Sequence, residues 1–378
     1  MPRLLHLADL HLGWSPRGLP EDRARQRRTR RDALLRQAVD VALREGVDAV
    51  VVAGDLFERH RPDPATLAAA LDQLRRLTDA GVALVTVPGN HDELSYASSV
   101  YRTEADRWPG VLVTRPTFGP AASLRLGGHD VHVAALAYVG GVTPAGSPLD
   151  RFPRSEAPGL HVAVLHGTLV RPGGRGPLHA ERSLPIDAVA LAAAGFDYVA
   201  LGHLHVPAVH PGARGPAVYP GCVGGKGLDD LGARHWTLVD LEPGRTDVRA
   251  VAAVVQPLAE VAVDVGGFED TAALRAHVRD LGDADAIVRV RLTGAVAFDL
   301  DAEALRAAAS DGFFHLEVED ATTRVAPELL DAWAARPTVT GAFVRRLRDQ
   351  LAAAEDEEAR ALITRALRYG VHALEGHR

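Results

Sequence analysis

Five short apolar runs in this chain each end on a side chain able to bind a cation, and that pattern limits the fold more than any other feature. The plainest is Asp48-Ala-Val-Val-Val-Ala-Gly-Asp55-Leu-Phe-Glu58. Its Val and Ala residues read as a buried core strand. The strand stops at Gly54, so Asp55 is set on a rigid base at the sheet edge. A lone Asp in that place would more often be a helix cap or a turn residue. The company it keeps argues otherwise: Asp9-Leu-His11, Gly89-Asn90-His91-Asp92, Leu165-His166-Gly167 and Gly202-His203-Leu204-His205 all stand just beyond apolar runs.

Between these runs the periodicity alternates. Leu4 to Ala8 reads as a strand. Glu21 to Glu45 reads as a long helix, with Leu34, Leu35, Ala38, Val41 and Ala42 on one face and Gly46 as its stop. Asp63-Pro64 opens a second helix with Asp63 as N-cap, Leu67, Ala70, Leu71, Leu74 and Leu77 as its buried stripe, and Gly81 as its end. Ala83 to Val87 follows as a strand. Such alternation predicts an α/β layered fold with parallel pairing. Further strands are expected at Val131 to Ala137, His161 to Leu165 and Tyr198 to Leu201, with a helix near Asp187 to Ala194. The pattern changes near Gln256-Pro257. Three parts are expected: residues 1–250, a small α+β unit over 255–325, and helices over 326–378. In the last, Phe343, Leu347, Leu351, Leu362, Ile363, Leu367 and Leu374 make an apolar face.

The net charge of −7 gives no general pull toward nucleic acid, so DNA contact requires local basic patches. The front of the first helix, Arg23 to Arg31, offers one. A solvated face is its default reading and a phosphate-contacting surface, with Arg27 as the candidate contact, is the sharper one. Lys226 is the single lysine, which an arginine-rich codon bias explains. Cys222 is also single, which rules out an internal disulfide and fits a reducing cytoplasm. The first residues are too soon interrupted for a signal peptide, and no run approaches the roughly 18 apolar residues of a membrane span. A soluble, cytoplasmic protein with no membrane partner is expected.

The candidate site consists of Asp9, His11, Asp55, Asn90, His91, His166, His203 and His205. Any one of these histidines alone is more often structural. If the strands lie side by side, however, their exit loops meet on one edge, where α/β sheets bind ligands. Carboxylates, imidazoles and an amide oxygen suit Mn²⁺, Fe²⁺ or Zn²⁺. Two such ions, roughly 3.5–4 Å apart, can hold the attacking and leaving oxygens of a phosphoryl displacement. They need a shared ligand, for which Asp55 is the candidate. His91, next to Asn90, can face substrate and protonate the leaving oxygen, with Asp92 orienting its other ring nitrogen.

Together these segments resemble the calcineurin-like metallophosphoesterase superfamily: Asp-x-His, Gly-Asp, Gly-Asn-His-Asp/Glu, His, Gly-His-x-His. Within it, Ala8-Asp-Leu-His-Leu-Gly13, Ala53-Gly-Asp-Leu-Phe57 with Pro62 beyond, and Tyr198-Val-Ala-Leu-Gly-His-Leu-His205 look like the SbcD-type DNA repair exonucleases, especially the YhaO-like branch. Tyr219-Pro-Gly221 and Gly341-Ala-Phe-Val-Arg345 add to that. The resemblance is specific to about residue 245. It implies a two-sheet α/β sandwich as nuclease domain, a small α+β capping domain and C-terminal helices that bind a partner. It further implies one ion on Asp9, His11, Asp55 and His205, a second on Asp55, Asn90, His166 and His203, and His91 as the catalytic histidine. Mn²⁺ is the usual metal, with Mg²⁺, Fe²⁺ and Zn²⁺ as alternatives. The implied partners are DNA, a second copy of the chain and an SbcC-like coiled-coil ABC ATPase. One departure stands out: archaeal and eukaryotic relatives carry a second histidine three residues after the bridging Asp, where this chain has Glu58. That bears on the balance of exonuclease and endonuclease work.

Gly221-Cys-Val-Gly-Gly-Lys226-Gly227 hints at a phosphate loop but is one residue short and lacks the Ser or Thr after Lys. Lys226 is left as a candidate contact to substrate phosphate. His6, His129, His132, His161, His210, His235 and His315 are read as structural or surface residues, and Arg171, Arg175, His179 and Arg182 as a solvated loop. The same metal set serves small-molecule and phosphoprotein substrates, so a phosphoesterase of that kind is the rival reading. A non-enzymatic scaffold is a third, and the complete ligand set argues against it.

Overall fold

A computed structural model describes residues 1–140, 149–171, 183–232, 234–294, 296, 298, 300–322, 327–354 and 356–375. Arg175, His179 and Arg182 lie outside them. The chain divides into two compact units, Met1–Gln256 and Pro257–Arg378.

The first unit begins with β1 (Arg3–Leu7), α1 (Glu21–Glu45), β2 (Ala49–Ala53), α2 (Pro64–Asp79), β3 (Ala83–Val87), the short α3 (Val100–Thr103) and β4 (Val111–Leu112). Helical crossovers allow parallel neighbours, and β1, β2, β3 and β4 pair in parallel. Next come β5 (Gly119–Leu126), β6 (His129–Ala135), β7 (Leu160–His166), β8 (Thr168–Val170), β9 (Pro185–Asp187), α4 (Ala188–Ala193), β10 (Tyr198–Gly202), β11 (Ala208–His210) and β12 (Ala217–Tyr219). The hairpin β13 (His235–Glu242) and β14 (Arg245–Ala252) closes the unit. Among the described residues twelve of these make two six-stranded sheets, in the orders β14-β13-β1-β2-β3-β4 and β11-β12-β10-β7-β6-β5, and β8 and β9 pair with each other in a two-stranded sheet. The fold is the two-sheet α/β architecture expected from the sequence.

The packing follows from the patterning. β2 is buried along its whole length, and one core joins it to α1, α2 and the second sheet. The alternation in β7 serves two cores: Val162 and Val164 join the inter-sheet cluster, while Ala163 and Leu165 join Ile186, Leu191 and Phe196 on the other face. His6 fits its structural reading, since its Nδ1 lies 2.8 Å from the Tyr198 hydroxyl across the two sheets. Helix ends are as the sequence signals: Asp63 accepts from the Thr66 N–H, and Gly46 takes a left-handed φ of 63°.

Two arginines at the basic front of α1 depart from expectation, while Arg25 and Arg30 are exposed as a solvated face requires. Arg27 and Arg31 are buried, at 2% exposure each. They continue the stripe of Leu34, Leu35 and Ala38 by helical steps of four and three, so helix geometry turns them inward. Arg27 donates to the carbonyls of Gly224 and Gly225 at 2.9 Å and to Gln256 Oε1 at 3.1 Å. Arg31 donates to the Leu10 carbonyl at 3.1 Å and to the Gly225 carbonyl. Arg27 is therefore a structural anchor and does not present its charge to a substrate phosphate.

The second unit runs β15 (Leu258–Asp264), α5 (Thr271–Asp280), β16 (Ile287–Thr293), α6 (Ala302–Ala309) and β17 (His315–Asp320), followed by α7 (Pro327–Ala334), α8 (Val339–Ala353) and α9 (Glu357–Glu375). Its strands pair in parallel in the order β15-β16-β17 over a core that includes Val263, Leu274, Val290, Leu305 and Leu316. In the helices, Val344, Leu367 and Val371 pack with Trp333, Phe343 and Leu347. Leu362 and Leu374, expected on that face, are exposed instead. No helix of the described residues is long and apolar enough to cross a membrane.

Candidate metal centre

Because β1, β2 and β3 are parallel, and β7 and β10 are parallel, each sheet delivers its polar exit residues to one edge. The two edges meet. His166 Nδ1 of one sheet lies 2.9 Å from the Ala53 carbonyl of the other, and the His203 N–H donates to Asp9 Oδ2 at 3.0 Å. The backbone here is held in an unusual conformation. Asp9, His11, Asp55 and His203, with φ of 55°, 49°, 50° and 102°, are the non-glycine residues of positive φ among the described ones. Left-handed backbone costs about 1–3 kcal/mol per residue and gathers at functional sites. Pairing beyond the strand ends holds it, through Asp9 N to Gly54 O at 3.2 Å, His11 N to Asp55 O at 2.9 Å and Leu12 N to Leu56 O at 2.8 Å.

The side chains converge in two groups. His11 Nε2 and His205 Nε2 face each other at 3.2 Å, with Asp9 beside them. On the other side, His166 Nε2 and His203 Nδ1 each lie 2.9 Å from Asn90 Oδ1. Asp55 Oδ2 stands between the groups, 3.8 Å from His11 Nε2 and 3.4 Å from His166 Nε2. Asp9 belongs with both groups: its ligand atom lies within 4.8 Å of those of His11 and His205, and of those of Asp55 and His166. The seven residues expected to bind metal are thus brought together, with Asp55 between the two groups and Asp9 near members of both.

The outer ring nitrogens show which lone pairs remain. His166 Nδ1 meets the Ala53 carbonyl, His205 Nδ1 lies 3.1 Å from Asp230 Oδ2, and His11 Nδ1 lies 3.0 Å from Glu58 Oε2. An outer N–H committed to an oxygen fixes the tautomer and leaves the inner nitrogen as a donor. The inner ring nitrogens of His11, His166 and His205, two buried carboxylates and an amide oxygen make a donor set that fits divalent ions of intermediate hardness.

The electrostatics agree with a site built for cations. Burial alone would raise the Asp55 carboxyl, but His166, His11 and His91 outweigh it and hold it well below the usual carboxylate range. Burial pushes Asp9 up to about 6, partly opposed by His166 and His205. Burial lowers the His11 and His203 imidazoles to about 3, so they stand neutral with lone pairs available. His166 is the exception: burial would lower it, yet Asp55 and Asp9 raise it to about 9.

His91 sits at the mouth, a third of its side chain exposed, with its N–H on Asp55 Oδ1 at 2.8 Å and its Nδ1 3.1 Å from the Glu58 carbonyl. Its ring meets His11 edge-on at 4.7 Å, and His11, Glu58 and His91 form a third ligand-type group. Asp92 does not reach the His91 ring, contrary to expectation. Its carboxylate is fully buried and accepts from the N–H groups of Gly89 and Phe57 at 2.7 and 3.0 Å and from the Tyr101 hydroxyl at 2.7 Å. It braces the loop that carries Asn90 and His91. Lys226 also differs from expectation: its Nζ is 2.7 Å from Glu58 Oε2, so its charge is already engaged. Two further residues join the site without a signal in the sequence: Glu58, a departure from the related pattern, and Asp230, which follows His205 at no diagnostic spacing.

Residues 2–207 match the family described as Calcineurin-like phosphoesterase. The chain is 33% identical over 305 residues to the DNA double-strand break repair protein Mre11 of Haloferax volcanii, covering 78% of this chain and 62% of that protein. It is 27% identical over 281 residues to the metallophosphoesterase YhaO of Bacillus subtilis, covering 73% of this chain and 66% of YhaO. A component of the SbcCD nuclease of Bacillus subtilis is 30% identical over 279 residues, or 64% of this chain and 67% of that one. The chain spans less than two thirds of the Haloferax protein's length. The match to the family begins ahead of β1 and ends two residues after His205, so it takes in every strand end of the converging site: the chain belongs to the calcineurin-like phosphoesterase family.

Proposed function

We propose that this chain is a metal-dependent DNA nuclease of the SbcD type that acts in DNA repair, as a homodimer with an SbcC-like coiled-coil ABC ATPase. The observation that carries the hydrolysis is the meeting of seven ligand-type side chains from two sheets, Asp55 among them. The direction toward DNA is supported by the relatives named for double-strand break repair and for the SbcCD nuclease. Asp9, His11, Asp55 and His205 would hold one ion and Asp55, Asn90, His166 and His203 the other, with Mn²⁺ as the metal. When bound, such a pair supplies neutralisation of phosphoryl charge and activation of water.

The chain's own groups do the rest. The Glu58 carbonyl accepts from the N–H at His91 Nδ1, which leaves Nε2 to meet the substrate; a second proton, carried on Nε2 by the imidazolium, would pass to the leaving oxygen and leave the ring neutral. An exposed pair of stacked rings in the same unit suits a nucleobase. His60 and Tyr96, on the exit loops of β2 and β3, stack at 4.1 Å and 21°, and half of Tyr96 is exposed. Flat exposed rings bind bases by stacking, at about 1–3 kcal/mol per base.

The test is cleavage of single- and double-stranded DNA, and of an aryl phosphodiester, with Mn²⁺. Wild type should cleave DNA and Asp55→Asn should not. Tyr96→Ala should raise KM on DNA by an amount equal to about 1–3 kcal/mol and leave the aryl diester unchanged. Equal DNA cleavage by wild type and Asp55→Asn, or none by wild type across the divalent metals, would contradict the proposal. An aryl diester turned over far better than DNA would favour the small-molecule reading.

A further inference from the structure

We propose that Lys226 is a positioning residue that holds the His11 and His205 half of the metal centre through two carboxylates, Glu58 and Asp230; this rests on the metal-centre reading above. One arm is its side chain. Nζ lies 2.7 Å from Glu58 Oε2, and that same oxygen lies 3.0 Å from His11 Nδ1. The other arm is its backbone. Its N–H donates to Asp230 Oδ2 at 2.9 Å, and that oxygen lies 3.1 Å from His205 Nδ1. A single residue therefore stands one carboxylate away from the outer nitrogens of both histidines, by ion-pair distances on the His11 side and by hydrogen bonds on the His205 side, and the inner nitrogens of those histidines face each other at 3.2 Å.

The surroundings make the arrangement rigid. The side chains of Lys226, Glu58 and Asp230 are 20%, 21% and 10% exposed, so this pair is shielded where a surface ion pair would be weak. Arg234 donates to the Cys222 carbonyl at 2.6 Å and lies 3.4 Å from Asp230 Oδ1. The buried Arg27 and Arg31 grip the carbonyls of Gly224 and Gly225, just ahead of Lys226. Those two arginines thereby find a purpose: they fix the turn from which Lys226 works. The other half of the centre is built differently: the outer nitrogen of His166, Nδ1, meets a backbone carbonyl, that of Ala53. Loss of the Lys226 charge should therefore be felt on one side. Partners of metal-binding histidines are worth about 10–100-fold in metal affinity.

The experiment is calorimetric titration of the full chain with Mn²⁺, for wild type, Lys226→Met, Lys226→Arg and Glu58→Gln. Metal-free thermal melts serve as the control for folding. Wild type should bind two ions. Lys226→Met and Glu58→Gln should bind one ion as wild type does and the other about 10–100-fold more weakly, and Lys226→Arg should recover most of that loss. Lys226→Met binding both ions as tightly as wild type, or losing both equally while melting normally, would overturn the inference and leave the metal centre standing. A wild type that binds no Mn²⁺ would overturn both.

Discussion

His91→Gln is expected to lower DNA turnover by about 10²–10⁴-fold, the usual worth of a positioned acid or base, while Mn²⁺ binding stays at the wild-type level. The split follows from placement. His91 stands at the mouth with a third of its side chain exposed, and its Nδ1 is engaged by the Glu58 carbonyl. The residues that converge on Asp55 from inside are His11 and His166. Glutamine keeps a polar side chain of similar reach but cannot pass a proton at this point. The measurement is kcat on DNA beside a metal titration of the same preparation. Loss of an ion in the variant would instead class His91 with His11 as a ligand, and unchanged turnover would remove it from the chemistry.

The second large effect is structural. A Cβ on Gly202 would fall far inside van der Waals contact of the Ala53 carbonyl oxygen and lie 2.8 Å from His166 Nδ1. The first of these is backbone, so the end of β10 and the end of β2 would have to move apart at the point where the two sheets meet. Overpacking of this kind costs about 1–3 kcal/mol. Gly202→Ala should therefore lower stability by at least about that much in urea unfolding and weaken Mn²⁺ binding, because His203 and His205 follow at once. Gly227→Ala is the natural control: a Cβ there meets nothing within 4 Å. Equal stability and equal metal binding in the two variants would show that the closeness of the sheet ends is not what sets the site.

Much of this was readable in the sequence because each ligand is local to a strong signal. An apolar run that stops at glycine marks a strand end, and parallel strands separated by helices must put such ends on one edge. Asp9, Asp55, Asn90, His166 and His203 needed nothing more. What the sequence concealed is what depends on contact between distant segments. Asp92 follows His91 directly, yet turns inward to Gly89, Phe57 and Tyr101, and no local rule distinguishes the two directions. Arg27 and Arg31 sat in a charge run that suggested solvent, whereas their helical spacing from Leu34 and Leu35 was the better guide. Lys226 looked like a free cation because Glu58, 168 positions earlier, is invisible as its partner in one dimension. Asp230 carried no signal at all.

Whether two cations share the Asp55 carboxylate can be read from anomalous diffraction by crystals of the chain grown with Mn²⁺. Two peaks are expected, roughly 3.5–4 Å apart, one between Asp9, His11 and His205, the other between Asn90, His166 and His203, with Asp55 touching both. Peaks elsewhere, or an Asp55 carboxylate surrounded by water alone, would contradict the two-ion centre.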